Sequence, residues 1–301
     1  MLILQIKNKS IQMEINSETV IVITGASSGI GRAIALALAN YKAKIVILAR
    51  RKNLIDELSK EIRIKGAEVY GIECDVTLKN ETESTIDKII EKYGKIDVLI
   101  NNAGRGHFGY IEDTTEEQID NIFKVNVFSL WYTTAKTLQY MRPNNSGHII
   151  NISSIAGKIG FPSNAAYVSA KHAVVGFNRA LRCELVGTNI NATVVMPAGV
   201  LTDWAVNTEG GSMIELFEYE SKRGSEIAKA EGIIQPKIPL LRPEEIASKI
   251  IECIKNPTPE LYTHEGTQQL AINYEQDIVS VEKTLIPSWI ANREGYLKIK
   301  S

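Results

Sequence analysis

Tyr167 and Lys171 stand four residues apart in YVSAK, inside a stretch of helical spacing, so both side chains leave one face of a single turn. A phenol with an ordinary pKa of about 10 is a poor base near neutrality, and a neighbouring ammonium favours its charged form. Such a pair suits general acid–base chemistry: it gives a proton to an oxygen that is becoming negative and removes it in the reverse direction. Ser154 lies just past the apolar run HIINIS (148–153), where its hydroxyl can hydrogen-bond that oxygen. Ser153 is turned the other way by strand alternation and ranks second.

Positioning these groups requires a rigid frame, and the chain supplies a repeating one. Short apolar runs at 20–24, 44–49, 68–73, 97–100, 148–153 and 191–195 alternate with helix-period segments such as 32–40, 53–65 and 115–141, the last ending just before Pro143. The runs are continuously apolar, which predicts strands buried on both faces of a parallel sheet. An α/β, doubly wound parallel sheet of the Rossmann type follows, as one domain. After Pro197 the chain becomes polar and Gly-containing, so 203–240 reads as a mobile substrate lid with a helix from Met213 to about Glu231. A helix over 243–255 and a last strand at 260–263 come next. The resulting division is an extension over 1–18, a catalytic domain over 19–265 that includes the lid, and a C-terminal extension over 266–301.

TGASSGIG (24–31) follows the first strand and opens the first helix, where glycines let backbone N–H groups approach a phosphate at the positive helix end. Its spacing is G-x-x-x-G-x-G, through Gly25, Gly29 and Gly31. With NNAG (101–104), NISS (151–154) and YVSAK (167–171), in that order, it resembles the short-chain dehydrogenase/reductase family over about residues 19–202. That resemblance implies hydride transfer between a nicotinamide and an alcohol or carbonyl carbon. It gives Tyr167 the proton, Lys171 and Ser154 supporting roles, and Asn126 the family's asparagine, which steadies a water leading from the lysine. It also assigns cofactor contacts to Gly25, Ser27, Ser28, Gly29, Ile30 and Gly31, to Asp75 and Val76 at the adenine, and to Asn102, Ala103 and Gly104. Tyr167 and Lys171 also touch the cofactor, as do Pro197, Gly199, Val200 and Thr202 of PAGVLT (197–202). Ala198 replaces a family glycine there, which bears on local backbone shape.

The family's NAD-binding acid at the end of the second strand is missing. LARRK (48–52) places Arg50 and Arg51 there instead, and both guanidinium forks suit a ribose 2′-phosphate. NADP(H) is therefore favoured over NAD(H). Substrate choice is expected from 105–110, the stretch between Ser154 and Tyr167, and the lid, which carry Phe108, Ile155, Phe161, Trp204, Met213 and Phe217. His107 reads as an exposed loop histidine, and His148, His172 and His264 lack ligand spacing.

With 34 basic and 35 acidic residues the net charge is −1, so no global field recruits nucleic acid. No apolar stretch is long enough to span a membrane. Cys74, Cys183 and Cys253 form no metal or disulfide spacing and read as core residues in a cytoplasmic protein without metal. Partners are then a small carbonyl or alcohol substrate and further copies, a homodimer or homotetramer joined through 115–141 and 165–186. Competing functions are a non-catalytic NADP(H)-binding regulator, an NAD-dependent alcohol dehydrogenase, or an epimerase or dehydratase. Met13 is a candidate start, which would make the preceding residues dispensable.

Overall fold

The computed structural model describes residues 12–301. Every apolar run is a strand: β1 (Val20–Thr24), β2 (Lys44–Ala49), β3 (Val69–Glu73), β4 (Val98–Asn101), β5 (Gly147–Ile152), β6 (Ile190–Met196) and β7 (Glu260–Tyr262). All pair in parallel, in the order β3-β2-β1-β4-β5-β6-β7. Parallel neighbours need crossovers, and helices provide them. These are α1 (Gly29–Leu38), α2 (Lys52–Ile64), α3 (Lys79–Tyr93), α4 (Glu116–Phe123), α5 (Ser129–Asn144), α6 (Ala165–Glu184), α7 (Ile214–Glu231) and α8 (Pro243–Lys255). Two more, α9 (Thr267–Gln276) and α10 (Ile278–Lys300), complete the described chain. The strand order reverses between β1 and β4, which opens a crevice at their C-terminal ends.

Alternation explains the continuous apolar runs. Ile21, Ile23, Ile45 and Ile47 pack with α1, α2 and α8 through Ile34, Ile55 and Ile250. Their neighbours Val20, Val22, Val46 and Leu99 pack on the other face with Ile86 and Ile89 of α3 and Leu181 of α6. Each buried aliphatic side chain contributes about 1.5–3 kcal/mol. β3 departs from the two-face pattern: it pairs only with β2, and its residues past Val69 are half-buried or exposed because it is a sheet edge.

The helix expected over 115–141 is interrupted. A capping box of Thr115 and Gln118 starts α4, a π turn occupies Lys124–Phe128, and α5 carries Pro143 in its last turn. Asn145, left-handed at φ 45°, ends it, with Asn145 N–H donating to the Arg142 carbonyl at 3.1 Å.

The segment expected to form a lid lies against the loop that follows β4. Phe108 N–H donates to the Glu209 carbonyl at 2.7 Å and Glu209 N–H to the Gly106 carbonyl at 2.8 Å, so 203–211 lies along 105–109. Its helix α7 packs on α10, where a Cβ at Gly295 would stand 2.8 Å from Tyr219 and one at Gly224 3.2 Å from Ser288. Both glycines allow this close approach, and Arg223 pairs with Glu294 at 2.8 Å beside it. The candidate leader ahead of Met13 lies outside the described residues except for Gln12. Met13 N–H donates to the Lys255 carbonyl at 3.1 Å, and Ile15 is buried. Among the described residues no helix is long and apolar enough to cross a membrane, and no cluster of side chains could hold a metal.

Candidate active site

The crevice is built from the loops that leave β1, β4, β5 and β6. Gly25 and Gly29 both have positive φ, 64° and 56°, which lets the turn after β1 reverse sharply into α1. Close packing fixes the turn: a Cβ at Gly25 would stand 2.7 Å from Ala103 Cα, and one at Gly31 2.5 Å from Asn102 Nδ2. Asn102 Nδ2 donates to the carbonyls of Thr24 and Gly25 at 3.0 and 3.1 Å, and the N–H groups of Asn102 and Ala103 donate to Thr24 Oγ1 at 3.0 Å each. The two sequence motifs are thus one unit. Asn101 lies beneath, its amide donating to Thr134 and Asn151 while Thr133 donates to its oxygen.

Ser154 leaves β5 in extended conformation and donates to the Pro197 carbonyl at 3.3 Å while accepting Ala156 N–H at 3.1 Å. Ser153 instead donates to the Lys171 carbonyl at 2.9 Å and anchors α6. Lys171 is 4% exposed, and its Nζ donates to the Ile152 carbonyl at 3.0 Å and lies 5.5 Å from the Tyr167 ring centroid. Burial pushes the Tyr167 phenol up to about 12, with the Ser154 hydroxyl opposing it. Burial also pushes Lys171 down to about 8. Desolvation acts against the charged form of both groups, so it raises the phenol and lowers the ammonium.

Asn126 sits in the π turn and is 2% exposed. Its amide donates to the carbonyls of Ile122 and Arg105 at 2.9 Å each, and its oxygen accepts Arg105 N–H at 3.3 Å. A Cβ at Gly104 would stand 2.8 Å from Asn126 Oδ1 and 3.3 Å from Lys171 Nζ, so both side chains flank Gly104.

At the other end of the crevice the arginines separate. Arg51 donates to Ser27 Oγ and Ser28 Oγ at 2.9 Å each, whereas Arg50 points to Asp75 at 4.0 Å and its side chain is 69% exposed. Ser28 is the N-cap of α1 but makes no side-chain cap. Asp75 is occupied by Thr77 at 2.7 Å, and Val76 and Ile30 pack into the core. Pro197 accepts Ile155 N–H at 2.8 Å, Gly199 accepts Leu241 N–H at 3.0 Å, and Val200 packs against the core. Thr202 reaches Gly29, where a Cβ would stand 3.4 Å from Thr202 Cγ2. That is ordinary contact, so glycine is required at 29 by its positive φ rather than by crowding. Free N–H groups at a helix start, two serine hydroxyls and a guanidinium form a donor set that suits the phosphates of a dinucleotide.

Of the aromatic and apolar candidates, Trp204 stands next to Tyr167, ring centroids 5.1 Å apart. Phe108, Met213 and Ile155 are buried in packing clusters, while Phe161 and Phe217 are exposed. His107 is fully buried rather than exposed, 3.3 Å from Thr114 Oγ1, because the lid loop covers it. Cys183 is exposed, unlike Cys74 and Cys253, and all three are free thiols. Sequence reading missed two contacts. Arg105 pairs with the half-buried Glu209 at 2.5 Å, and His264 bonds Ala198 and Gly199. No spacing signals the second, since 66 residues separate His264 from Ala198.

A parallel sheet with a glycine turn at its switch point and a tyrosine–lysine pair beside it defines a nucleotide-binding α/β oxidoreductase. The family model described as short chain dehydrogenase matches residues 19–211, and the chain belongs to that family. It is 37% identical over 189 residues, 62% of this chain and 76% of the other, to an uncharacterized oxidoreductase of Staphylococcus saprophyticus. A short chain dehydrogenase/reductase from Burkholderia phymatum, solved in complex with NAD, superposes with a TM-score of 0.75 at 26% identity, covering 88% of this chain and 95% of that one. The alcohol dehydrogenase of the archaeon Thermococcus sibiricus, complexed with 5-hydroxy-NADP, gives 0.68 at 26% identity, covering 83% and 97%.

Proposed function

We propose that the protein is an NADP(H)-dependent oxidoreductase that interconverts a carbonyl and an alcohol on a small to medium-sized substrate, with Tyr167 as general acid and base. The convergence of Tyr167, Lys171 and Ser154 on the crevice carries the reading. When bound, the dinucleotide supplies or accepts the hydride. In the reducing direction Ser154 Oγ–H turns from the Pro197 carbonyl to the substrate oxygen, and Tyr167 gives that oxygen its proton as negative charge develops. Lys171 stabilises the phenolate left behind. Asn126 holds the Gly104–Arg105 backbone beside Lys171, and Trp204 shields the phenol from water. Replacing Tyr167 by Phe is expected to lower turnover by about 10²–10⁴-fold while dinucleotide binding persists. Turnover near wild type would refute the mechanism.

Pro197, Gly199, Val200 and Thr202 hold the nicotinamide end, and the turn from Gly25 to Gly31 holds the phosphates. Arg51, already bonded to Ser27 and Ser28, supports the NADP(H) preference: its fork meets a 2′-phosphate at the ribose, with exposed Arg50 adding charge. Fluorescence titration tests this. Arg51→Ala is expected to weaken NADPH about tenfold or more and to leave NADH nearly unchanged, a charge-assisted bond being lost. Equal loss for both would reject the preference.

Self-association belongs to the same reading. Phe128 of the π turn and Trp131 of α5 are exposed, and Trp131 lies 5.1 Å from Phe177 of α6 by ring centroid. These aromatics support a dimer or tetramer through the two helices. The free thiols support a reducing, cytoplasmic setting.

A further inference from the structure

Ala198 stands where the family pattern has a glycine, and one side chain holds the backbone there. His264 follows β7 and is 3% exposed. Its Nδ1 accepts Ala198 N–H at 3.2 Å and lies 2.9 Å from Thr263 Oγ1, while its Nε2 lies 2.8 Å from the Gly199 carbonyl. An N–H donor at one nitrogen and a carbonyl acceptor at the other fix the neutral tautomer with the proton on Nε2. One ring therefore spans residues 198 and 199. Around it, the Pro197 carbonyl accepts from Ser154 and Ile155, the Gly199 carbonyl accepts Leu241 N–H, and Leu201 N–H donates to the Leu241 carbonyl. Residues 197, 198 and 199 are held one after another, and His264 supplies the bond to Ala198 N–H.

We propose that neutral His264 is a positioning residue that clamps the 198–199 backbone for dinucleotide binding, and that protonating it opens the clamp. The proposal rests on the reading of 197–202 as the nicotinamide-holding segment. A doubly protonated ring has two donors and no acceptor, so Ala198 N–H would then face another N–H. The charges acting on the ring, Lys249 and Glu245 of α8, oppose each other, and burial keeps the neutral form favoured. The 197–199 segment presents only backbone to the ring. The clamp is therefore intact above the ordinary histidine range and lost as pH falls below it.

The test measures Kd for NADPH and NADH by fluorescence across pH, with kcat and KM, for wild type, His264→Leu and His264→Asn. Leu fills the space without hydrogen bonds, whereas the Asn oxygen can still accept Ala198 N–H and does not titrate. At neutral pH, Leu is expected to raise Kd and the dinucleotide KM about tenfold, equivalent to one lost buried hydrogen bond, with kcat at saturation little changed. Asn is expected to recover part of the affinity and to flatten the acid weakening seen in wild type. An acid limb unchanged in Asn, or a folded Leu variant with wild-type Kd, overturns the proposal. If Leu does not fold, Asn alone decides through its pH profile. Wild type that binds neither dinucleotide overturns the underlying reading of 197–202, and the clamp with it.

Discussion

Desolvation moves Tyr167 and Lys171 in opposite directions because it penalises charge on either group, the phenol rising to about 12 and the ammonium falling to about 8. At neutral pH a protonated phenol then stands beside a lysine that is still mostly charged, which suits proton donation to a carbonyl oxygen. This state is lost first from the lysine side. In the reducing direction kcat/KM is expected to be level through neutrality and to fall above pH about 8 as Lys171 loses its charge. A pH–rate profile with NADPH in excess checks this, and Lys171→Arg, which stays charged, should remove the alkaline limb at a lower overall rate. A wild-type profile level well above that pH would contradict it. The register of Tyr167 and Lys171 was legible in the sequence because four residues make one helical turn. The unequal placement of Arg50 and Arg51 was not, since both lie in the turn between β2 and α2, where no strand or helix period fixes side-chain direction. His264 was hidden for a different reason: its partners come together only through the β6 and β7 pairing.

At the scale of elements, glycines separate packing from propensity. A Cβ at Gly31 would meet Asn102 Nδ2 at 2.5 Å and the Gly25 carbonyl at 2.8 Å, and that backbone cannot retreat without opening the turn. Gly176 also lies inside a helix, α6, yet a Cβ there has nothing within 4 Å. Gly31→Ala is therefore expected to destabilise by about 1–3 kcal/mol through overpacking, and Gly176→Ala to stabilise by up to about 1 kcal/mol through helix propensity. Urea unfolding of both variants measures the contrast, and the same sign for both would refute it. The sheet and its strand bounds could be read because both faces are covered, which makes each run apolar without interruption. The π turn at Lys124–Phe128 could not, since an extra residue in one turn leaves no compositional mark. Nor did the sequence announce α10, whose exposed Val279, Ile286, Ile290 and Leu297 add to buried Val281 and Ala291 and blur any single apolar stripe.

For the whole molecule, buried histidines set the response to acid. His148 is the second residue of β5, an interior strand, is fully buried and lies 2.9 Å from Thr193 Oγ1. Burial holds it down to about 3, with a backbone bond at Ile254 opposing, whereas in an unfolded chain it titrates near 6.5. Between those values the unfolded chain binds a proton that the folded one refuses. Stability from this group is complete above about pH 6.5 and is lost as pH falls toward about 3. His107 and His264, also lowered by burial, act with the same sign. Carboxylates lowered by partners, such as Asp87 and Glu294, add losses only below their own ordinary range. Weakening between pH 6.5 and 5 is thus a histidine signature, and His148 contributes about 2 kcal/mol of it at about 1.4 kcal/mol per pH unit. Urea midpoints at pH 7 and pH 5 check the assignment. His148→Gln is expected to start less stable at pH 7, because it disturbs a buried hydrogen bond, and then to lose about 2 kcal/mol less than wild type on going to pH 5. An equal loss in the two proteins would move the acid sensitivity from β5 to the histidines beside the crevice, where dinucleotide binding should then suppress it.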